Sequence, residues 1–258
     1  MNQRVARLRQ QSVETRPYVS AERAQLVTKF YKGPVPHQVS VPLCRALAFR
    51  HILEHKAVYI GAGELIVGER GPAPKATPTY PELCCHSLAD LRILSSRERT
   101  TYQVNPEVME IYEREIIPFW HARTMRDKVF GSMDDIWQTA FDAGVFTEFM
   151  EQRSPGHAIL DDKIYRRGLL DFLAEITQRR ENLDFLNDPE AYHKDQQLQA
   201  MAVCADALIA FAGRYADVAQ EQAQVEKDKT RRAELERLAD ICRRVPAHPP
   251  RNVWEAIQ

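Results

Sequence analysis

No stretch of this sequence stays apolar for the roughly 18 residues that a membrane-spanning helix requires, so no such span is expected. The N-terminus, Met1-Asn2-Gln3-Arg4-Val5-Ala6-Arg7-Leu8-Arg9, is basic but has no apolar run behind its charges, which argues against a secretory signal. The cytoplasm is the expected compartment. Cysteines are few, and Cys44, Cys84, Cys85, Cys204 and Cys242 are odd in number and widely scattered. That pattern argues against a disulfide framework and for reduced thiols. Excess charge of one sign is also missing: 35 basic and 36 acidic residues are interleaved, for a net charge of −1. No global field draws the chain to nucleic acid or to acidic membranes. There is no internal repeat, no low-complexity tract, and no GxGxxG, Walker loop, HExxH or G-x-S-x-G motif.

What remains is an ordinary globular composition, 44% hydrophobic and 28% charged over 258 residues, enough to bury a sizeable core. Ser20-Ala21-Glu22 reads as a helix start with Ser20 as cap. Leu26, Val27, Phe30 and Tyr31 follow at helical spacing until Gly33-Pro34 stops the element. A second helix is expected from Pro42 to His55, with Leu43, Leu47 and Leu53 inward. Ala57–Ile60 and Leu65–Val67, separated by Gly61-Ala62-Gly63, suggest a small hairpin. Residues 68–81 carry Gly68, Gly71, Pro72, Pro74, Pro78 and Pro81, and are expected to form a long ordered loop without regular structure.

Further helices are expected from Asn105-Pro106 to Trp120, interrupted by Pro118, and from an Asp134 or Asp135 cap to Phe149. Others are expected over 164–180, from Asp195 to Gln224, and from Thr230 to Arg243. The long one carries the stripe Leu198, Met201, Ala205, Leu208, Ala212, Tyr215 and Ala219. Arg231-Arg232 read as part of a solvated face. The last residues, Asn252 to Gln258, read as the uncapped first turns of another helix, so the chain looks like the front of a longer protein.

Cys84-Cys85-His86 lacks the spacing and the second ligand pair that a structural zinc site needs, and no metal is expected. Both cysteines read as structural. Asp134-Asp135 and Asp161-Asp162 read as caps and turns rather than acid–base pairs. In "FTEFMEQRSPGH", Pro155 stops a helix and Gly156 relaxes the backbone just before His157. An aromatic ring at Phe149 and an imidazole at His157 could line a pocket, the ring giving shape and the imidazole a polar anchor.

Seven blocks resemble the amino-terminal part of the glycyl radical enzymes, the pyruvate formate-lyase-like superfamily. They are "SAERAQLVTKFY", "RALAFRHILEH", "GELIVGERGPAPKATPTYPELCCHSLADL", "EIIPFW", "AGVFTEFMEQRSPGHAILDDKIYRRGLLDF", "LDFLNDPEAY" and "VPAHPPRNVWEAIQ". They follow the family's order and span nearly the whole chain. "PTYPELCCH" and "TEFMEQRSPGH" look most like the branch that dehydrates trans-4-hydroxy-L-proline. The resemblance implies a predominantly α-helical chain with a few short β-strands. Residues 1–258 would be the incomplete N-terminal part of a ten-stranded α/β barrel. It also implies an anaerobic C–O lyase reaction on a small-molecule substrate and, as a partner, an S-adenosylmethionine-dependent iron–sulfur activase that installs the glycyl radical. A homodimer is a further implication. Phe149 and His157 would bind substrate, the ring packing on a cyclic amino acid and the imidazole meeting its polar groups.

The departures are specific. The family's cysteine loop reads Gly-Cys-Val-Glu and its radical loop Arg-Val-x-Gly-Tyr, yet here no glycine precedes a cysteine and none of the ten glycines precedes a tyrosine. No catalytic residue is therefore assigned within these 258 residues, and the chain alone is expected to be inactive. The alternatives are another glycyl radical lyase or acyltransferase, of diol, choline, arylacetate or pyruvate type, and a non-enzymatic helical interaction module.

Overall fold

The computed structural model describes residues 2–146 and 161–258. It is predominantly helical with two short strands. Helix α1 (Gln3–Glu14) is capped by the Asn2 side chain and buries none of its residues. Strand β1 (Tyr18–Ser20) leads directly into α2 (Glu22–Lys32). Ser20 therefore ends a strand rather than capping the helix: Ala21 holds the cap position, and the Ser20 hydroxyl only reaches Glu22 N at 3.4 Å. Helix α3 (Val41–His55) follows, close to expectation, but Leu43 and Leu47 are only half-buried. Its buried positions include Cys44, Ala46, Ala48, Ile52 and Leu53. Mostly small side chains let the long helix described below approach closely.

The segment 57–67 is not a hairpin. Its carbonyls are taken by side chains instead: Arg231 donates to Glu64 O at 2.7 Å and Gly61 O at 3.2 Å, and Trp254 Nε1 to Leu65 O at 2.7 Å. The Gln258 amide pairs both ways with the Val67 backbone, each bond 2.9 Å. Backbone polar groups need partners wherever they are buried, and here distant side chains supply what a ladder would. Arg231, expected on a solvated face, is thus a clamp with only 14% of its side chain exposed.

The Gly/Pro-rich segment does contain regular structure. Strand β2 (Ala76–Pro78) pairs in parallel with β1, Tyr18 opposite Ala76 and Ser20 opposite Pro78. Proline is tolerated because it stands at the end of a two-stranded sheet. Helix α4 (Leu88–Ser96) opens on a Ser87/Asp90 capping box. Helix α5 (Pro106–Ile111) runs through a π-helical turn (Tyr112–Ile116) into α6 (Ile117–Trp120). The widened turn lies just ahead of Pro118, which has no N–H to continue the ladder.

Helix α7 (Met125–Gly131) precedes α8 (Asp135–Asp142), which stops well short of Phe149 because Gly144 turns the backbone at φ +72°. The expected helix over 164–180 divides into α9 (Lys163–Arg166) and α10 (Leu169–Glu181). The break is at Gly168, where an added Cβ would lie 2.1 Å from Ala247 O and 2.4 Å from His248 Cα. The freed amides of Leu169 and Leu170 donate to Pro246 O and Ala247 O.

Helix α11 (Ala191–Val225) starts four residues before the expected Asp195 and packs against α3, α10 and α12 (Lys229–Arg244). Part of its stripe is buried, including Ala205, Tyr215 and Ala219, but Met201 and Leu208 are exposed. Helix α13 (Val253–Ile257) is capped after all: Asn252 accepts from Glu255 N at 3.0 Å.

One hydrophobic cluster gathers Val19, Val27, Leu91, Tyr112, Ile116 and Trp120, and a second gathers Ile60, Val67, Tyr215, Ala219, Leu235 and Leu238. Among the described residues, no helix is long and apolar enough to cross a membrane.

Candidate functional site

Phe149 and His157, the residues expected to face a substrate, lie in 147–160, outside the described residues. The structure defines how the chain approaches and leaves that segment. Thr124 and Asp127 form a capping box on α7, and Asp134 accepts from Ile136 N at 3.0 Å and Trp137 N at 2.9 Å on α8. Asp134 is therefore a cap, and Asp135 lies in the first turn. Phe130, Phe141, Phe146 and Trp137 make ring contacts with centroids 4.7–5.9 Å apart. Beyond the gap, Asp162 sits at the start of α9 and pairs with Arg166 at 2.5 Å.

The approach to α7 is tied to the loop that was singled out in sequence. Arg23 of α2 donates to Thr79 O at 3.1 Å, grips the Glu82 carboxylate with both terminal nitrogens, and lies 4.0 Å from the centre of the Tyr80 ring. The Tyr112 hydroxyl, from the π-turn, donates to Thr79 Oγ1 at 2.5 Å. On the loop's other side, Met125 N and Arg126 N donate to Glu82 O and Leu83 O, each at 3.0 Å. Loop 79–83 is thus fixed to α2, to the π-turn and to the start of α7. Chain order then leads through α8 to residue 147.

The electrostatics of this frame are structural. Burial pushes the Tyr112 phenol well above its ordinary range, against the opposing hydrogen bond to Thr79. Burial pushes the Cys85 thiol up to about 11, and Asp127 and Asp90 add to the effect. A nucleophilic cysteine needs the opposite shift, so Cys85 serves packing, as part of the first hydrophobic cluster. Cys84 is half-buried beside it. Among the described residues, no three His, Cys, Asp or Glu side chains are arranged to hold a metal ion.

Two charged arrangements were missed in sequence. Arg23 and Glu82 are 59 residues apart, so no local spacing announces them. Glu255, with none of its side chain exposed, pairs with Arg251 at 2.7 Å and lies 3.4 Å from Arg244. The four-residue separation of Arg251 and Glu255 was a readable signal.

The family profile described as pyruvate formate lyase-like matches residues 1–258. A trans-4-hydroxy-L-proline dehydratase from Clostridioides difficile is 44% identical over 99% of the chain and 32% of its own length. A crystal structure of hydroxyproline dehydratase from the same organism, with trans-4-hydroxy-L-proline bound, superposes with a TM-score of 0.94 at 43% identity, covering 99% of this chain and 32% of that one. A glycyl radical enzyme from Archaeoglobus fulgidus superposes with a TM-score of 0.86 at 31% identity, covering 98% and 32%. The chain spans about a third of the length of these relatives.

Proposed function

The chain belongs to the pyruvate formate lyase-like family, and from that premise we propose that it forms part of a glycyl radical dehydratase acting on trans-4-hydroxy-L-proline. The observation that carries this reading is the TM-score of 0.94, at 43% identity, with a hydroxyproline dehydratase solved with that substrate bound. In this reading residues 1–258 are the amino-terminal, incomplete part of a ten-stranded α/β barrel and contribute one wall of its substrate cavity. Phe149 packs its ring against the pyrrolidine, and His157 meets the substrate's hydroxyl or carboxylate with a ring nitrogen. A pocket built from an apolar wall and one polar anchor fixes orientation as well as affinity.

No radical step is assigned to this chain. It has no cysteine preceded by glycine and no glycine followed by tyrosine, so its own residues do not fit the radical loops. In the proposal those loops belong to further chain, and an S-adenosylmethionine-dependent iron–sulfur activase acts on them. These 258 residues bind and orient. The assembled enzyme is a cytoplasmic homodimer.

The test uses an enzyme of the relatives' full length built around this segment. His157→Ala should lower kcat/KM for hydroxyproline by about 100-fold, the scale of lost positioning. The control is His121→Ala, at an exposed position after α6, which should leave turnover nearly unchanged. Equal effects in two folded variants would remove His157 from the cavity.

A further inference from the structure

Tyr112 is the first residue of the π-helical turn and lies fully buried in the first hydrophobic cluster. Packing there does not call for a hydroxyl, since phenylalanine would fill the same space. Yet the Tyr112 hydroxyl donates to Thr79 Oγ1, and Thr79 is buried as well. A polar group taken so far from water is held by its bond, and a single π-turn within a helix often marks a functional region.

What the bond fixes is the start of loop 79–83. From there the loop reaches α7, whose first amides have no partner within the helix. Thr124 takes the Asp127 amide, while Met125 N and Arg126 N go to Glu82 O and Leu83 O. Helices α7 and α8 then meet edge to face through Phe130 and Phe141, with ring centroids 4.7 Å apart, and Phe141 touches Phe146 at 5.9 Å. Bonded and packed groups thus run without a break from the Tyr112 hydroxyl to Phe146, the residue before the segment that carries Phe149 and His157. Such a chain of contacts can carry an orientation, and a measured coupling is what establishes that it does. We infer that Tyr112 is a positioning residue: acting through Thr79, its hydroxyl sets how α7 and α8 present the substrate-facing segment. This role rests on the dehydratase reading above.

The test uses the enzyme of the relatives' full length built around this segment, activated and assayed on trans-4-hydroxy-L-proline. Rates are taken per glycyl radical, counted by electron paramagnetic resonance, so that unfolded or unactivated protein drops out. Tyr112→Phe should lower kcat/KM by about tenfold, mainly in kcat, as a small misplacement of a substrate contact does. Thr79→Val removes the acceptor and leaves the ring of Tyr112 in place, and it should lose as much. Thr79→Ser keeps a hydroxyl and should retain nearly the parental rate. Combined with His157→Ala, Tyr112→Phe should add little further loss, because the two act on one contact. Parental kcat/KM per radical in Tyr112→Phe would overturn the role. So would equal losses in Thr79→Ser and Thr79→Val, or strict additivity with His157→Ala, each of which marks a general packing effect. A radical-loaded parent enzyme that leaves hydroxyproline untouched would instead overturn the dehydratase reading, and the role of Tyr112 would fall with it.

Discussion

Arg23 and Glu82, 59 residues apart in sequence, meet as a two-pronged ion pair that fastens the Gly/Pro-rich loop to helix α2. Their side chains are 19% and 23% exposed, so water screens the pair only partly. Arg23 also holds Thr79 O and stacks on Tyr80, which makes it the joint of the loop. Arg23→Ala should destabilise the chain by about 2 kcal/mol, as loss of a partly buried bidentate pair does. A double-mutant cycle with Glu82→Gln, read by urea unfolding, should give a coupling energy of about 1–2 kcal/mol. Strict additivity of the two single changes would show that the pair contributes nothing beyond its separate contacts.

Gly168 separates α9 from α10 because backbone, not a flexible side chain, occupies the space a Cβ would need. Gly168→Ala should cost about 3 kcal/mol or more, since the 246–248 segment has to move and the Leu169 and Leu170 bonds to it weaken. Gly131, the last residue of α7, has open space around it. Gly131→Ala should be neutral or stabilise slightly, by up to about 1 kcal/mol. Thermal denaturation of both variants separates the two cases, and similar losses in both would discount the close approach.

Glu255 is held down to about 2 from an ordinary 4.5, first by its hydrogen bonds to Arg251 and then by the nearby Arg244 charge, against the opposing cost of burial. A depressed carboxylate stabilises the fold above its unfolded value. That contribution is lost as pH falls from about 4.5 towards about 2. Urea midpoints taken between pH 6 and pH 2.5 should therefore fall more steeply for the parent chain than for Glu255→Gln. Parallel profiles would mean that the pair does not persist in solution.

Incubated with an S-adenosylmethionine-dependent activase under reducing anaerobic conditions, the chain should give no glycyl radical doublet by electron paramagnetic resonance. The reason is in the residues: no glycine stands before a tyrosine. A doublet arising on this chain would overturn the proposal that it only binds and orients.

Legibility in the sequence divided along physical lines. Helices with a strong cap or a sustained stripe were readable: α3, α11 and α12 lie within a few residues of expectation. Local spacing was also enough for Asp134, whose cap is made with its own neighbours. Failures came where a distant partner replaced a local one. Ala57–Val67 has strand-like residues, but Arg231, Trp254 and Gln258 satisfy its backbone from nearly the other end of the chain. Ala76–Pro78 looked too proline-rich for a strand, and only the edge offered by Tyr18–Ser20 makes it one. For the candidate site, Phe149 and His157 were singled out by a helix stop and a family likeness. They lie outside the described residues, so the frame that leads to them is what the structure adds.

By itself the sequence determined the helical class, the family blocks and the absence of radical-loop motifs. These follow from residue type and near-neighbour spacing, which act over a few residues. Only the tertiary structure decided that Arg231 is a clamp, that Gly168 is a crossing point, and that Arg23 and Glu82 secure the loop. Each depends on which distant surfaces are pressed together, and burial sets both the cost of a missing partner and the strength of one that is present.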